Sequence, residues 1–140
     1  MDSSEINKQA HEIARILDGM DCSEVLNMEV ESDESNAAME HIAGLLKTWL
    51  DSYDALAADK KYDNAVNQMK AILFGLYIYE FESDIPLSDW GGNCIRLIFQ
   101  GLLHRAKTDM EDAKYSRKLD DFIADNCKRW GQKTEKDATE

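Results

Sequence analysis

Apolar residues recur along this chain at intervals of three and four positions, the spacing that places them on one face of an α-helix. A first stripe of this kind covers residues 6–20. A second stripe covers residues 39–56, and Ser35 or Asn36 stands where an N-cap residue is expected. The pattern therefore predicts two long helices in the first part of the chain.

The third apolar segment, from Tyr62 onward, changes character along its length. Its second half, "AILFGLYIYEF", is apolar on all sides, although a surface helix needs only one apolar stripe. Aromatic and β-branched residues are also typical of a short buried strand, but a position inside a longer helical pattern favours a helix. We therefore predict a third helix whose second half is surrounded by the others. Residues 59–61 form a short polar connection, which makes the second and third helices antiparallel neighbours.

The stretch "ESDIPLSDWGGN", residues 82–93, holds the only proline and a pair of glycines, and it predicts a break in the helical pattern. A new apolar stripe follows over residues 95–106. Thr108 and Glu111 have the spacing of a capping box, which predicts a further helix just after Thr108. Residues 93–130 form either one bent helix or two.

Together these segments predict an all-α fold, a single-domain bundle of four to six helices over residues 1–130. No segment shows the alternating pattern of a strand, and no internal repeat is present. A chain of 140 residues can bury one hydrophobic core without disulfides or metal ions. Residues 131–140, "GQKTEKDATE", offer nothing to bury, and we predict that they form a disordered polar tail.

The three cysteines, Cys22, Cys94 and Cys127, are widely separated and include no CxxC pair. This usage is typical of reduced thiols in an intracellular protein, where a free cysteine is usually a small core residue. Cys94 is the best single candidate for a reactive thiol, since a helix N-terminus can lower the pKa of a thiol. Packing inward beside Ile95 is the interpretation that we favour.

Neither a membrane span nor a secretory signal is expected. The longest strongly apolar run, residues 71–79, is about half of the ~20 residues that a transmembrane helix needs. The first residues, "MDSSEINKQAHEI", contain neither a basic region nor an apolar segment. We therefore predict a cytoplasmic protein.

The net charge of −12 is concentrated in the first quarter of the chain. Residues 1–36 hold ten acidic and two basic residues, whereas residues 83–140 hold eleven and ten. Direct binding to nucleic acid or to an anionic membrane is disfavoured, because the charge has the wrong sign to neutralise phosphates. A partner protein with a basic surface is favoured instead.

The acidic stretch "EVESDESN", residues 29–36, is rich in the carboxylates that bind calcium, so we compare it with a calcium-binding loop. A loop of the EF-hand type starting at residue 29 would place ligands at Glu29, Glu31, Asp33 and Glu40. Its sixth position is Glu34 where the sharp turn requires glycine, and its eighth is Asn36 where an apolar residue is usual. We therefore expect no metal ion at this stretch.

The motifs of other sites are also missing from the sequence. No Glu-x-x-His pair supports a di-metal bundle, no Cys/His cluster supports zinc, and neither a nucleophile elbow nor a phosphate-binding loop is present. We therefore expect no cofactor and predict that the protein is not an enzyme. A small helical enzyme whose site has no linear motif is the third interpretation.

Acidic side chains at helical spacing can imitate the regular negative charge of a nucleic acid duplex and occupy a basic groove. The residues predicted to bind a partner are Glu24, Glu29, Glu31, Asp33, Glu34 and Trp90. Trp90 would serve as an anchor if it is exposed; otherwise it covers one end of the core. A solvated linker that aids solubility is the alternative for the acids.

We therefore predict an acidic protein-binding or inhibitor protein with a basic, possibly nucleic-acid-binding, partner. Nuclease immunity proteins, phage-encoded inhibitors of host defence and secretion chaperones share its size, acidity and helicity, a likeness of type that rests on no motif. The alternative is a homo-oligomeric structural, adaptor or chaperone-like module, such as a homodimer.

Overall fold

The computed structural model describes residues 3–19, 22–28, 31–83 and 85–130. These residues form a single helical domain without strands, and residues 128–130 add a short helical turn at its end. The six helices are α1 (Ser3–Asp18), α2 (Cys22–Leu26), α3 (Asp33–Ala58), α4 (Tyr62–Glu82), α5 (Asp89–Asp109) and α6 (Ala113–Asn126). The predicted all-α bundle is confirmed, and residues 93–130 belong to two helices. The predicted tail, residues 131–140, lies outside the described residues.

Helix α4 occupies the centre of the bundle, as its all-round apolar second half predicts. Eleven of its 21 residues are buried, and α1, α3, α5 and α6 all contact it. His11 of α1 lies against Phe74, and Trp130, just after α6, lies against Tyr77 and Phe81. Nearer the start of α4, Asn7 of α1 lies beside Lys70 and Tyr115 of α6 contacts Tyr62, so α1 and α6 run parallel to α4. The short connections make α3 and α5 antiparallel to it.

Helix α1 packs closely against α4 at Gly75. A Cβ atom at this position would lie 2.8 Å from Cγ2 of Ile13 and 3.1 Å from the carbonyl oxygen of Ala10. Because glycine has no side chain, the two helix axes can approach until Ile13 fills the space beside it. Ala10, Ile13 and Leu17 are fully buried there, as their stripe in the sequence predicts.

Helix α3 begins earlier than its apolar stripe indicates. Its N-cap is Ser32, whose hydroxyl accepts a hydrogen bond from the Ser35 backbone N–H at 3.1 Å. The Ser35 hydroxyl in turn accepts one from the Ser32 N–H at 2.9 Å, which completes a capping box. The predicted cap at Ser35 or Asn36 is therefore wrong, because acidic residues rather than apolar ones occupy the first helical positions.

The paired glycines of "WGGN" do not break the chain but lie in the first turn of α5, capped by Ser88. The Ser88 hydroxyl accepts a hydrogen bond from the Gly91 N–H at 3.1 Å and donates one to the Leu26 carbonyl oxygen at 3.0 Å. A Cβ atom on Gly91 would lie 2.9 Å from the Leu26 carbonyl carbon and overlap its oxygen. Glycine is thus required for the contact between α2 and α5 and not for a turn, since no described glycine has a positive φ.

The end of α5 and the start of α6 differ from the sequence prediction. Thr108 does not cap a new helix, because its hydroxyl donates to the carbonyl oxygen of His104 within the last turn of α5. Helix α6 begins at Ala113, with the carboxylate of Asp112 accepting from the Lys114 N–H at 3.0 Å. Helix α2 was not predicted, because five residues are too few to show a helical period.

The connection between α3 and α4 is a Schellman motif with a lysine in its left-handed position. Lys60 has a φ of 61°, and the N–H groups of Lys60 and Lys61 donate to the carbonyl oxygens of Ala57 and Leu56. Lys60→Gly is therefore expected to raise the free energy of unfolding by about 1 kcal/mol, because the Cβ atom is costly in this conformation. Urea denaturation measures the change.

Lys61→Gly is the matched control for this substitution. Lys61 has a φ of −85°, so glycine relieves no strain there and is expected to give no stabilisation. Equal effects of the two substitutions would show that the left-handed conformation of Lys60 carries no cost.

Candidate functional site

Helix α2 and the N-termini of α3 and α5 meet at one end of the bundle, and five of the six predicted partner-binding residues lie on or just before these elements. We call the set Glu24, Glu31, Asp33 and Glu34 the acidic surface; all four side chains are exposed. Glu24 belongs to α2, while the other three stand just before α3 or in its first turn. Glu29, the fifth acid of the prediction, lies outside the described residues.

The local structure explains why carboxylates are placed at the start of α3. The first backbone N–H groups of a helix have no intrahelical acceptor, and the helix dipole favours negative charge near them. Asp33 and Glu34 occupy the first turn of α3, beside the capping box of Ser32. Since the chain is helical from residue 33 onward, these residues do not form the twelve-residue loop of a calcium site.

The carboxylates of the acidic surface have no ion-pair partner among the described residues, unlike four acids elsewhere in the bundle. The ion pairs among the described residues join Arg105 to Asp54 and to Asp109, Lys107 to Asp120, and Lys118 to Asp63. All of these pairs fall within residues 54–120. Among the described residues, no member of the acidic surface takes part in an ion pair. Its charge is therefore not neutralised within the described part of the chain.

A shallow groove of about 490 Å³ runs between α2 and α3 beside the acidic surface. Its apolar part is formed by Cys22, Val25 and Ala38, and its edge carries Glu34 and His41. The groove places apolar surface next to an exposed carboxylate. Such an arrangement suits an apolar side chain flanked by a basic one.

Trp90 lies in the first turn of α5 and is half-buried. It packs against the hydrophobic core, and its indole Nε1 is buried without a hydrogen-bond partner among the described residues. This is the position of a side chain that covers one end of the core. We therefore leave Trp90 out of the acidic surface, and its role as an anchor stays a prediction.

The three cysteines are buried and form no disulfide among the described residues, as predicted. Burial, together with the nearby carboxylate of Glu31, raises the pKa of the Cys94 thiol, which opposes formation of a reactive thiolate. Burial also raises the pKa of Cys127, to about 12. Cys94 thus packs inward, and its position in the first turns of α5 does not activate it.

A polar cluster joins the far ends of α3 and α5. The buried Tyr53 hydroxyl donates to Oδ2 of Asp109 at 3.0 Å, and Arg105 pairs with Asp54 and Asp109 while its guanidinium lies over the Tyr53 ring. Burial and the hydrogen bond to Asp109 raise the pKa of Tyr53, so this phenol stays protonated at neutral pH. The cluster fixes α3 to α5 and has the character of a structural contact.

Two further properties of the described residues bear on function. They contain no group of three or more His, Cys, Asp or Glu side chains placed to hold a metal ion. No helix within the described ranges combines the length and apolarity that a bilayer span requires.

Comparisons of this chain with protein-family models, with curated proteins and with solved structures found no significant match.

Proposed function

We propose that this protein binds another protein, one with a basic surface, through the acidic surface of Glu24, Glu31, Asp33 and Glu34. The observation that carries the proposal is the concentration of these exposed carboxylates on α2 and at the start of α3, where none of them has an ion-pair partner among the described residues. Exposed carboxylates on α2 and at the start of α3 can meet lysine or arginine side chains of a partner without first breaking an ion pair to another described residue.

The groove between α2 and α3 supports the same proposal. It adjoins Glu34, so a partner can place an apolar side chain against Cys22 and Val25 while its basic residues meet the carboxylates. Apolar contact at the centre and charge at the rim is the usual anatomy of a protein interface. A partner that uses the same basic surface for nucleic acid would be blocked, which makes an inhibitory role part of the proposal.

Neutralising the acidic surface is expected to abolish capture of the partner. Glu24→Gln, Glu31→Gln, Asp33→Asn and Glu34→Gln, combined, remove four charges without changing side-chain size. Baits of the wild type and of this variant are incubated with lysate of the native host, and retained proteins are identified by mass spectrometry. The affinity of the purified partner is expected to fall at least ~10-fold in the variant, and wild-type binding to weaken steeply as salt rises from ~50 to ~300 mM.

The matched control neutralises four other exposed acids, through Asp51→Asn, Asp59→Asn, Glu111→Gln and Asp121→Asn. It changes the net charge by the same amount, and these residues form no ion pair among the described residues. We expect the control to retain the partner. Equal losses in both variants would mean that only the total charge matters, and equal retention would exclude the acidic surface from binding. Displacement of a DNA or RNA duplex from the partner tests the inhibitory role.

A further inference from the structure

The walls of the groove between α2 and α3 are two helix faces. Cys22 and Val25 of α2 are three residues apart, so they lie on one side of that helix. The residues that α3 contributes also share one side of their helix; they are Glu34, Ala37, Ala38 and His41. From its first to its last residue, the α3 wall is ~10 Å long, which is about two helical turns.

The floor of the groove consists of small side chains. Ala38 is 7% exposed and Cys22 is 8% exposed, while Val25 is half-buried and Ala37 is exposed. The Cys22 thiol is directed at the carbonyl oxygen of Ala38, with 3.9 Å between Sγ and O, and this contact joins the two walls. Because neither alanine extends beyond Cβ, the middle of the groove has room for a side chain of another molecule.

Helical walls favour a helix over an extended segment as the molecule that binds in this groove. The backbone N–H and C=O groups of residues 37–41 are hydrogen-bonded along α3. An extended segment binds through unpaired backbone groups at a sheet edge, which such walls do not offer. A helix needs only side-chain contacts, because the ridge of one helix fits between the side chains of others. Its residues i, i+3 and i+7 span ~10 Å, the length of the α3 wall.

The charges around the groove select a basic helix. The lining, which belongs entirely to the described residues, contains Glu34 but no lysine or arginine. Glu24 stands on the α2 side, and Glu31 and Asp33 precede Glu34 on the α3 side. A helix with acidic flanks would be repelled by these carboxylates, whereas one with lysine or arginine beside its apolar face is complementary to both walls.

We propose that the groove between α2 and α3 binds an amphipathic, basic helix of the partner protein. This inference rests on the proposed function and specifies which segment of the partner meets the acidic surface. Apolar side chains at i, i+3 and i+7 of the partner helix lie against Val25, Ala37 and Ala38. Lysine or arginine side chains beside them meet Glu24 and Glu34.

Isothermal titration of the full wild-type chain with three synthetic peptides tests the kind of segment. The first is a capped, alanine-based helix with leucines at i, i+3 and i+7 and lysines beside them. The second has the same composition with the leucines spread around the helix, and the third is the first with a central proline that prevents a continuous helix. The first peptide is expected to bind one to one and at least ~10-fold more tightly than the other two. Equal or tighter binding of either control, or no binding of the first peptide, overturns the proposal.

A groove-filling substitution locates the binding. Ala37→Trp fills the groove from an exposed position and is expected to weaken binding of the first peptide at least ~10-fold. Ala43→Trp, at an exposed position of α3 outside the groove lining, is the matched control and leaves binding unchanged. Circular dichroism confirms that each variant is folded, and the comparison of the three peptides needs no variant. Full affinity in the folded Ala37→Trp variant overturns the proposal.

Capture of the partner from lysate separates this proposal from the proposed function. Retention of the partner by Ala37→Trp, together with its loss from the variant that neutralises the acidic surface, would mean that charge alone binds it. That result overturns the helix in the groove and leaves the proposed function intact. Retention by the neutralised variant overturns the proposed function itself. Light scattering tests another occupant: a wild-type dimer that Ala37→Trp converts to a monomer would place a second copy of the chain in the groove and overturn the proposal.

Discussion

Gly91→Ala is expected to destabilise the protein by about 3 kcal/mol. The added methyl group would overlap the carbonyl oxygen of Leu26, and its Cβ would lie 2.9 Å from the carbonyl carbon. A flexible side chain could rotate away, but a backbone carbonyl at the end of a helix cannot move without separating α2 from α5. The hydrogen bond from the Ser88 hydroxyl to Leu26 would lengthen at the same time. Urea denaturation measures the loss of stability, and hydrogen exchange of the α2 amides shows where it falls.

Gly101→Ala provides a control in the same helix. Gly101 is exposed, and an added Cβ would have no heavy atom within 4 Å. Alanine is the better helix former, so this variant is expected to gain about 0.5–1 kcal/mol. The two substitutions are chemically identical and opposite in predicted sign. A Gly91→Ala variant as stable as the Gly101→Ala variant would contradict the close contact between α2 and α5.

Trp130→Ala is expected to cost about 3–5 kcal/mol and to lower the melting temperature by roughly 10–17 °C. Trp130 is 5% exposed and contacts three other aromatic rings, with centroid distances of 4.5 Å to Phe99, 5.2 Å to Tyr77 and 5.7 Å to Phe81. Its removal leaves a cavity between α4, α5 and the end of the described chain. Differential scanning calorimetry checks the size of the effect.

Trp130→Phe retains a ring in the same place and is expected to lose less than about half as much stability. If Trp130→Ala lay within ~1 kcal/mol of the wild type, the aromatic cluster would contribute little to folding. The burial of Trp130 makes the last helical turn part of the core, although this turn is followed in sequence by the polar residues 131–140.

The sequence was sufficient to predict the helices whose apolar residues repeat over several turns. Ile13, Leu17, Ile42 and Leu46 are buried as their spacing predicts, and the all-round apolar half of α4 is central. Helix boundaries were harder, because a cap depends on local backbone hydrogen bonds. Ser32 caps α3 although the nearest residues of the apolar stripe lie several positions further on.

The glycines show a second limit of sequence reasoning. Gly91 and Gly92 looked like a break because paired glycines usually mark turns. Their role depends on Leu26 and Glu80, which approach them from α2 and α4 and are distant in sequence. No local pattern indicates such a contact.

For the surface features, too, the sequence showed which residues are charged but not which residues contact each other. Charge counting located the acidic residues, since exposed acids are visible in composition, but it did not show which acids have ion-pair partners. A cleft of about 540 Å³ between α5 and α6 was missed, although Arg96, Gln100, Leu103 and Lys107 in its lining have the spacing of one helical face. Its floor also requires Ile123 and Trp130, which only folding brings opposite to α5.

The packing of α1 on α4 has a consequence for the synthesis of the chain. Helix α1 ends at Asp18, but α4 is complete only at Glu82. At ~5–20 residues per second, the ribosome needs roughly 3–13 s to make the intervening residues. During this interval the apolar face of Ile6, Ile13 and Leu17 has no α4 to cover it. The strong negative charge of residues 1–36 opposes association between such unfinished chains, so it acts before any folded surface exists.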